Sequence, residues 1–189
     1  MAKQGKIILI SGPSGVGKKT IIDLLRTNDG LNLYYSISYT TRNKRVNETN
    51  GKDYFFVNEA EFKQKINNNH FLEYAMFCNH YYGTDKEQVI SMINEGKNVI
   101  LEIEVEGAKN ILNMMPKDLI VSIFILPPSI EELERRLTLR NTESIHDIKN
   151  RILKAKNEIN EKSMYQHNII NDDVQRVVNQ ITKIIKNEH

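Results

Sequence analysis

The chain has one cysteine, Cys78, among 189 residues. A single thiol excludes an internal disulfide framework and a cysteine-based metal cluster. No apolar run reaches the length of a membrane span, and the first residues, Met-Ala-Lys-Gln-Gly-Lys, lack the apolar core of a signal peptide. The expectation is a soluble, cytoplasmic protein with no membrane partner. Charge of one sign is also missing. The net charge is +2, so no global field points to nucleic acid, although a nucleotide site can still be locally basic. Long polar or low-complexity tracts are absent, and a 40% hydrophobic content suffices for a core, so disorder is not expected. The length suits one domain with small insertions. Cys78, between Phe77 and Asn79, is expected to be a passive, partly buried thiol, because no activating partner stands near it in the sequence.

What is present begins at residues 12–18, Gly-Pro-Ser-Gly-Val-Gly-Lys. The apolar run Ile7-Ile8-Leu9-Ile10 precedes them, and the helical spacing of Ile21, Ile22, Leu24 and Leu25 follows. Strand, glycine-rich turn and helix form the context of a phosphate-binding loop. Glycines let successive N–H groups point inward, and the helix start adds unpaired donors and positive dipole. Gly12, Pro13, Ser14, Gly15, Val16 and Gly17 would cradle a triphosphate, and Lys18 would reach its outer phosphates. The hydroxyl that usually follows the lysine is replaced by Lys19, and Thr20 comes one place later. Either Thr20 takes over as a magnesium ligand, or water and the substrate phosphates hold the metal. Lys19 either adds charge near the phosphates or is an ordinary solvated side chain.

Further along, Asn28-Asp29-Gly30 reads as a helix stop, with the glycine in the left-handed region. Leu33-Tyr34-Tyr35-Ser36-Ile37-Ser38 reads as one strand, and residues 40–52 as a polar, basic loop leading to Tyr54-Phe55-Phe56-Val57. Asn58 with Glu61 predicts a capping box, and so does Ser129 with Glu132. Short strands are expected at residues 71–75 and 80–83, and a helix from Asp85 closed by Gly96. Buried strands follow at residues 99–101 and 120–126, with a short helix over 108–115 between them. Residues 130–162 read as charged helix, residues 168–170 as a last strand, and Val174, Val177, Val178, Ile181, Ile184 and Ile185 as one face of a terminal helix. The alternation predicts an α/β fold with a parallel sheet and ligands at the carboxyl ends of its strands. Core, insertion and lid are expected at 1–35 with 85–128 and 163–189, at 36–84, and at 129–162.

A second constellation lies in Ser38-Tyr-Thr-Thr-Arg42-Asn-Lys-Arg45 and Gly51-Lys-Asp-Tyr54. Arg42 and Arg45 offer forked donors for a phosphate, and Tyr54 and Tyr82 add hydroxyls. By itself such a stretch is more often a solvated loop.

With these motifs, Phe71-Leu-Glu73-Tyr-Ala, Tyr81-Tyr82-Gly83-Thr84, Leu101-Glu102-Ile-Glu104-Val-Glu-Gly107, Pro127-Pro128-Ser129 and Arg140-Asn-Thr-Glu-Ser also occur in order. From about Lys6 to Asp173 the chain resembles the guanylate kinases. The resemblance implies a P-loop NTPase core, a β-rich GMP-binding insertion and a helical lid, with ATP as co-substrate and magnesium as cofactor. It implies that Arg42, Arg45, Tyr54 and Tyr82 hold the GMP phosphate, and that Ser38, Glu73, Thr84 and Glu104 read the guanine. A carboxylate can accept from both N1–H and the exocyclic amine of guanine, which adenine cannot offer. Arg136, Arg140 and Arg151 match arginines around the transferred phosphate, and Asn171 matches a residue near adenine, or equally caps a helix. Lys18, Arg45, Arg140 and Arg151 would surround the transferred group. Asn141 replaces the glycine usual after Arg140, a left-handed position that asparagine tolerates. Glu102, ending a core strand, is a candidate for organising magnesium through water. No His/Asp or Cys/His pair occurs in the motif blocks, which suits a reaction needing no general base. A homodimer is left open. The alternatives are an interaction module of this fold that binds a phosphorylated peptide, and a kinase for another monophosphate.

Overall fold

A computed structural model describes residues 4–139 and 145–188. The apolar runs become a five-stranded parallel sheet of β1 (Ile7–Ser11), β2 (Leu33–Tyr35), β7 (Asn98–Glu102), β8 (Ile120–Leu126) and β9 (His167–Ile170), in the order β2-β7-β1-β8-β9. Alternate side chains leave opposite faces of a strand, so each face needs its own cover. Ile8, Ile10, Ile100, Val121, Ile123 and Ile125 pack under α1 (Lys18–Leu25) and α7 (Val174–Asn187). Ile7, Leu9, Val99, Leu101 and Phe124 pack under α3 (Lys86–Asn94) and α4 (Val105–Met114). β1 is buried along its whole length, and each of its isoleucines and its leucine contributes about 1.5–3 kcal/mol of burial.

A second sheet of four strands has the order β4-β3-β6-β5, from β3 (Tyr39–Thr40), β4 (Phe55–Phe56), β5 (Phe71–Phe77) and β6 (His80–Asp85). It is braced by α2 (Glu59–Asn67), whose start is the expected capping box. Asn58 accepts from the Glu61 N–H at 2.8 Å, and Glu61 accepts from the Asn58 N–H at 3.1 Å. Phe62 of α2 is fully buried and stacks on Phe71 and Tyr81, with centroids 4.5 and 5.3 Å away. This small aromatic cluster stands in for an aliphatic core. Helices α5 (Ile130–Leu139) and α6 (Ile145–Asn160) close on their own apolar group of Leu133, Leu137, Ile148, Ile152 and Ala155. Among the described residues, no helix is long and apolar enough to cross a membrane.

The structure departs from the sequence reading at several points. The single strand expected over residues 33–38 is two, because the chain leaves the core sheet after Ser36 N–H bonds Ile100 and joins the second sheet at Tyr39. The left-handed residue is Asn32 rather than Gly30, since Asn28 caps a short turn and the chain reverses only after it. The helix expected from residue 108 already begins at Val105. Cys78 is exposed, not partly buried. With Asn79 it forms the two-residue turn joining β5 to β6, both at positive φ (48° and 62°), which puts the thiol at the hairpin tip. The Ser129 box is half made: its hydroxyl accepts from the Glu132 N–H at 3.1 Å, but the Glu132 carboxylate turns to Arg135 and Arg136.

Candidate active site

β1 ends at the centre of the sheet, and residues 12–17 turn from it into α1. Gly12 has φ 145°, and a side chain there would collide with the Ile125 carbonyl of the neighbouring strand. Gly17 caps α1 at φ 104°, a conformation open to glycine. Lys18 is buried, and its Nζ donates to the carbonyls of Gly12 and, at 3.2 Å, Pro13. The ammonium is thus folded over the loop whose amides would hold phosphates.

The loop is braced from behind. Asn171 Nδ2 donates to the Val16 carbonyl at 2.7 Å. Arg136 donates to the same carbonyl at 3.4 Å and to the Asn171 carbonyl at 3.1 Å, while its Nε holds Glu132 at 2.8 Å. Leu137 of α5 abuts Gly15, so α5 also rests on the loop. Arg136 and Asn171, carried over as nucleotide residues, therefore sit behind the loop and do not line the cleft.

In front of the loop opens a cleft of about 990 Å³. Ser14, Gly15, Gly17, Lys18, Lys19 and Thr20 line one end; Ser38, Arg42, Arg45, Tyr54, Glu73 and Tyr82 line the other, with Glu102, Glu104 and Arg151 between. Most of the expected residues thus meet in one cavity. Thr84 stands behind it, and Arg140 lies outside the described residues.

At the far end Glu73 is buried, and Thr84 donates to its Oε1 at 2.7 Å. Burial pushes the carboxyl up to about 7, against the lowering effect of Thr84. Gly107 of α4 presses on its other oxygen: a Cβ there would lie 2.5 Å from Oε2. Gly107 belongs to the Leu101–Gly107 motif with no role evident from the sequence, and only the fold brings it to Glu73.

The basic loop is organised by Glu48, which sequence reasoning missed. It accepts from both ends of the Arg42 guanidinium, at 3.0 and 2.7 Å, and from the Arg45 N–H at 2.8 Å. Burial alone would raise its carboxyl, yet these donors hold it below the usual carboxylate range. Arg42 also lies over the Tyr54 and Phe56 rings, 5.4 and 5.7 Å from their centroids. A lone acid in a basic stretch was the available signal.

Glu102 ends β7 beside the loop. Burial raises its carboxyl, while Lys18 and Lys19 oppose the rise and Tyr35 donates to it at 3.4 Å. No three carboxylate, histidine or cysteine side chains among the described residues gather as a metal site. Glu102 and the exposed Thr20 nevertheless give hard oxygen donors on the same cleft wall, which suits a magnesium ion held mostly by phosphates and water. Lys19 is largely solvated, with Nζ 3.6 Å from Asp53 across the cleft mouth. A pair this exposed contributes about 0–1 kcal/mol.

Glu104 precedes α4 and leaves its helix uncapped; its Oε2 is buried with no hydrogen-bond partner. Lys154 of α6 lies 4.0 Å from it and 3.7 Å from Glu158. Burial, with Glu104 opposite, keeps the Glu158 carboxyl well above the ordinary range.

A family model for guanylate kinase matches residues 4–188. A guanylate kinase of Malacoplasma penetrans is 50% identical over 183 residues, covering 97% of this chain and 93% of that protein. One from Lactobacillus acidophilus is 45% identical over 189 residues, covering 100% and 92%. The crystal structure of guanylate kinase from Anaplasma phagocytophilum superposes with a TM-score of 0.83 at 32% identity, over 99% of this chain and 87% of that one. With a phosphate loop and a buried carboxylate facing each other across one cleft, the chain belongs to the guanylate kinase family.

Proposed function

We propose that the protein transfers the γ-phosphate of ATP to GMP, and to dGMP, in the cytoplasm, with magnesium as cofactor. The observation that carries this reading is Glu73, a buried carboxylate with one oxygen held by Thr84 and the other backed by Gly107, at the opposite end of the cleft from Lys18. An ionised carboxylate so placed has the Thr84 hydroxyl as a donor and is left under-satisfied unless the ligand brings two adjacent donors, as guanine does.

The ATP phosphates would lie on the amides of residues 12–17 and under Lys18. The GMP phosphate would meet Arg42, Arg45, Tyr54 and Tyr82, joining or displacing Glu48. Ser38, Thr84 and Glu104 would complete the guanine pocket. Thr20, and Glu102 through water, would hold magnesium, which supplies charge neutralisation between the outer phosphates. The acceptor is a phosphate oxygen, already anionic near neutral pH, so no side chain need remove a proton. The protein's part is to align the two nucleotides and to neutralise the transferred group with Lys18, Arg45, Arg140 and Arg151. Arg136 and Asn171 support this from behind the loop, and Asn171 would also lie near the adenine. Residues 36–84 would act as the monophosphate subdomain and 129–162 as a lid that excludes water.

The test is ADP release with Mg-ATP and each of GMP, AMP, CMP and UMP. Turnover with GMP alone is expected; turnover with another base would discard the role of Glu73. A second expected outcome concerns Gly107→Ala. The added methyl must push the Glu73 carboxylate aside, so KM for GMP rises at least about tenfold, the equivalent of ~1.4 kcal/mol. Steady-state kinetics with an unchanged KM would contradict that.

A further inference from the structure

Helix α6 carries two side chains that the transfer chemistry leaves unused, Lys154 and Glu158. Lys154 Nζ stands 3.3 Å from the centre of the Phe77 ring, 3.7 Å from Glu158 and 4.0 Å from Glu104. Phe77 ends β5 of the second sheet, and Glu104 introduces α4 of the core; both line the cleft. One ammonium therefore touches three separate parts of the molecule. Glu158 is buried beneath it, 7% exposed, although glutamates are seldom buried unless paired.

The second observation is the Oε2 of Glu104, buried and 4.0 Å from Lys154 Nζ, an ion pair beyond hydrogen-bond reach. A charged acceptor left this way is costly, and a ligand donor would remove the cost. The other charged or titratable groups felt here are Lys18 from α1, Glu102 from the end of β7, and Tyr165 from beyond the end of α6. Lys154 is the cation in contact with both carboxylates, and a cation on an aromatic face has a fixed seat. A solvated lysine wandering over an acidic surface would show neither a ring contact nor a buried partner.

We propose that Lys154, backed by Glu158, is a positioning residue that holds Glu104 toward the exocyclic amine of the guanine and ties α6 to occupation of that pocket. The inference rests on the assignment of Glu104 to guanine. Lys154 contacts no phosphate and takes no part in transfer; it acts through Glu104.

The test uses kcat and KM for GMP and for IMP, which lacks the amine, at saturating Mg-ATP. The proteins compared are the wild type, Lys154→Met, Lys154→Arg, Glu158→Gln, Glu104→Gln and the Lys154→Met/Glu104→Gln double variant. Thermal unfolding verifies that each is folded. Lys154 is half-exposed, so its variants keep the fold even where Glu158→Gln does not. Lys154→Met is expected to raise KM for GMP roughly 5–20-fold, a coupling of the size seen between neighbours in contact. Its kcat changes little, its preference for GMP over IMP shrinks, and Lys154→Arg restores most of both. On the Glu104→Gln background, Lys154→Met adds nothing. A lost preference in Glu104→Gln beside an unchanged Lys154→Met overturns the proposal alone, as do fully additive effects. An intact preference in Glu104→Gln overturns the guanine assignment, and the proposal with it.

Discussion

Lys18→Ala lowers turnover by roughly 10²–10⁴-fold while the chain stays folded. The ammonium bonds the carbonyls of Gly12 and Pro13, so it lies on the rim of the cradle and not out in solvent. A triphosphate offers far stronger acceptors than two neutral carbonyls, and the charge then follows the phosphoryl group through transfer. Removing it leaves the backbone amides to hold the phosphates, with Lys19, whose Nζ is drawn toward Asp53, as a neighbouring cation. The fold is spared for a local reason. Position 18 opens α1, and alanine is a good helix former, so the helix start is kept. Initial rates with Mg-ATP and GMP, beside a thermal melt, check both halves. Turnover within tenfold of the wild type would sink the assignment.

Glu73→Gln is expected to stabilise the empty protein and to cripple its use of GMP. Burial raises the folded carboxyl from the ordinary 4.5 to about 7, so the folded state holds this proton more tightly than the unfolded chain. Stability therefore falls as pH rises from about 4.5 to about 7 and is level above, a loss of about 3 kcal/mol from this one group. Glutamine keeps the shape and has no charge to bury, so the variant melts above the wild type at pH 8, and the gap narrows toward pH 5. In the proposed complex guanine would donate both of its hydrogens to the ionised form, so GMP binding is expected to expel the proton and KM for GMP to rise as pH falls below 7. Glutamine can accept only one of the two donors, and kcat/KM for GMP drops by about 10²-fold or more. A variant that melts below the wild type at pH 8 would contradict the burial argument. One that still uses GMP well would contradict the recognition argument. The residue is held against the interest of the empty fold, as a binding group often is.

The phosphate loop was legible because everything it needs is contiguous: a buried strand, spaced glycines and a lysine at a helix start. The central sheet was legible for the same reason, since runs such as residues 120–126 can only be buried on both faces. What escaped depended on contacts between distant segments. Residues 33–38 alternate as one strand would, and only pairing partners divide them between two sheets. Phe77 beside Cys78 suggests burial, but a two-residue hairpin turn sets the thiol at its tip. Arg136 and Asn171 also bond the Val16 carbonyl, a bracing contact no local pattern shows. Glu48, Gly107 and Lys154 become visible only when the chain has brought Arg42, Glu73 and Glu104 beside them.

The strand order has a mechanical consequence. β1 is the middle strand of five, gripped on both edges and covered on both faces, so the loop at its tip is fastened to the stiffest part of the molecule. The Glu73 wall hangs on a separate sheet whose own core is little more than a stack of rings around Phe62. The cleft is a vice with one stiff jaw, anchored in the five-stranded sheet, and one more lightly built.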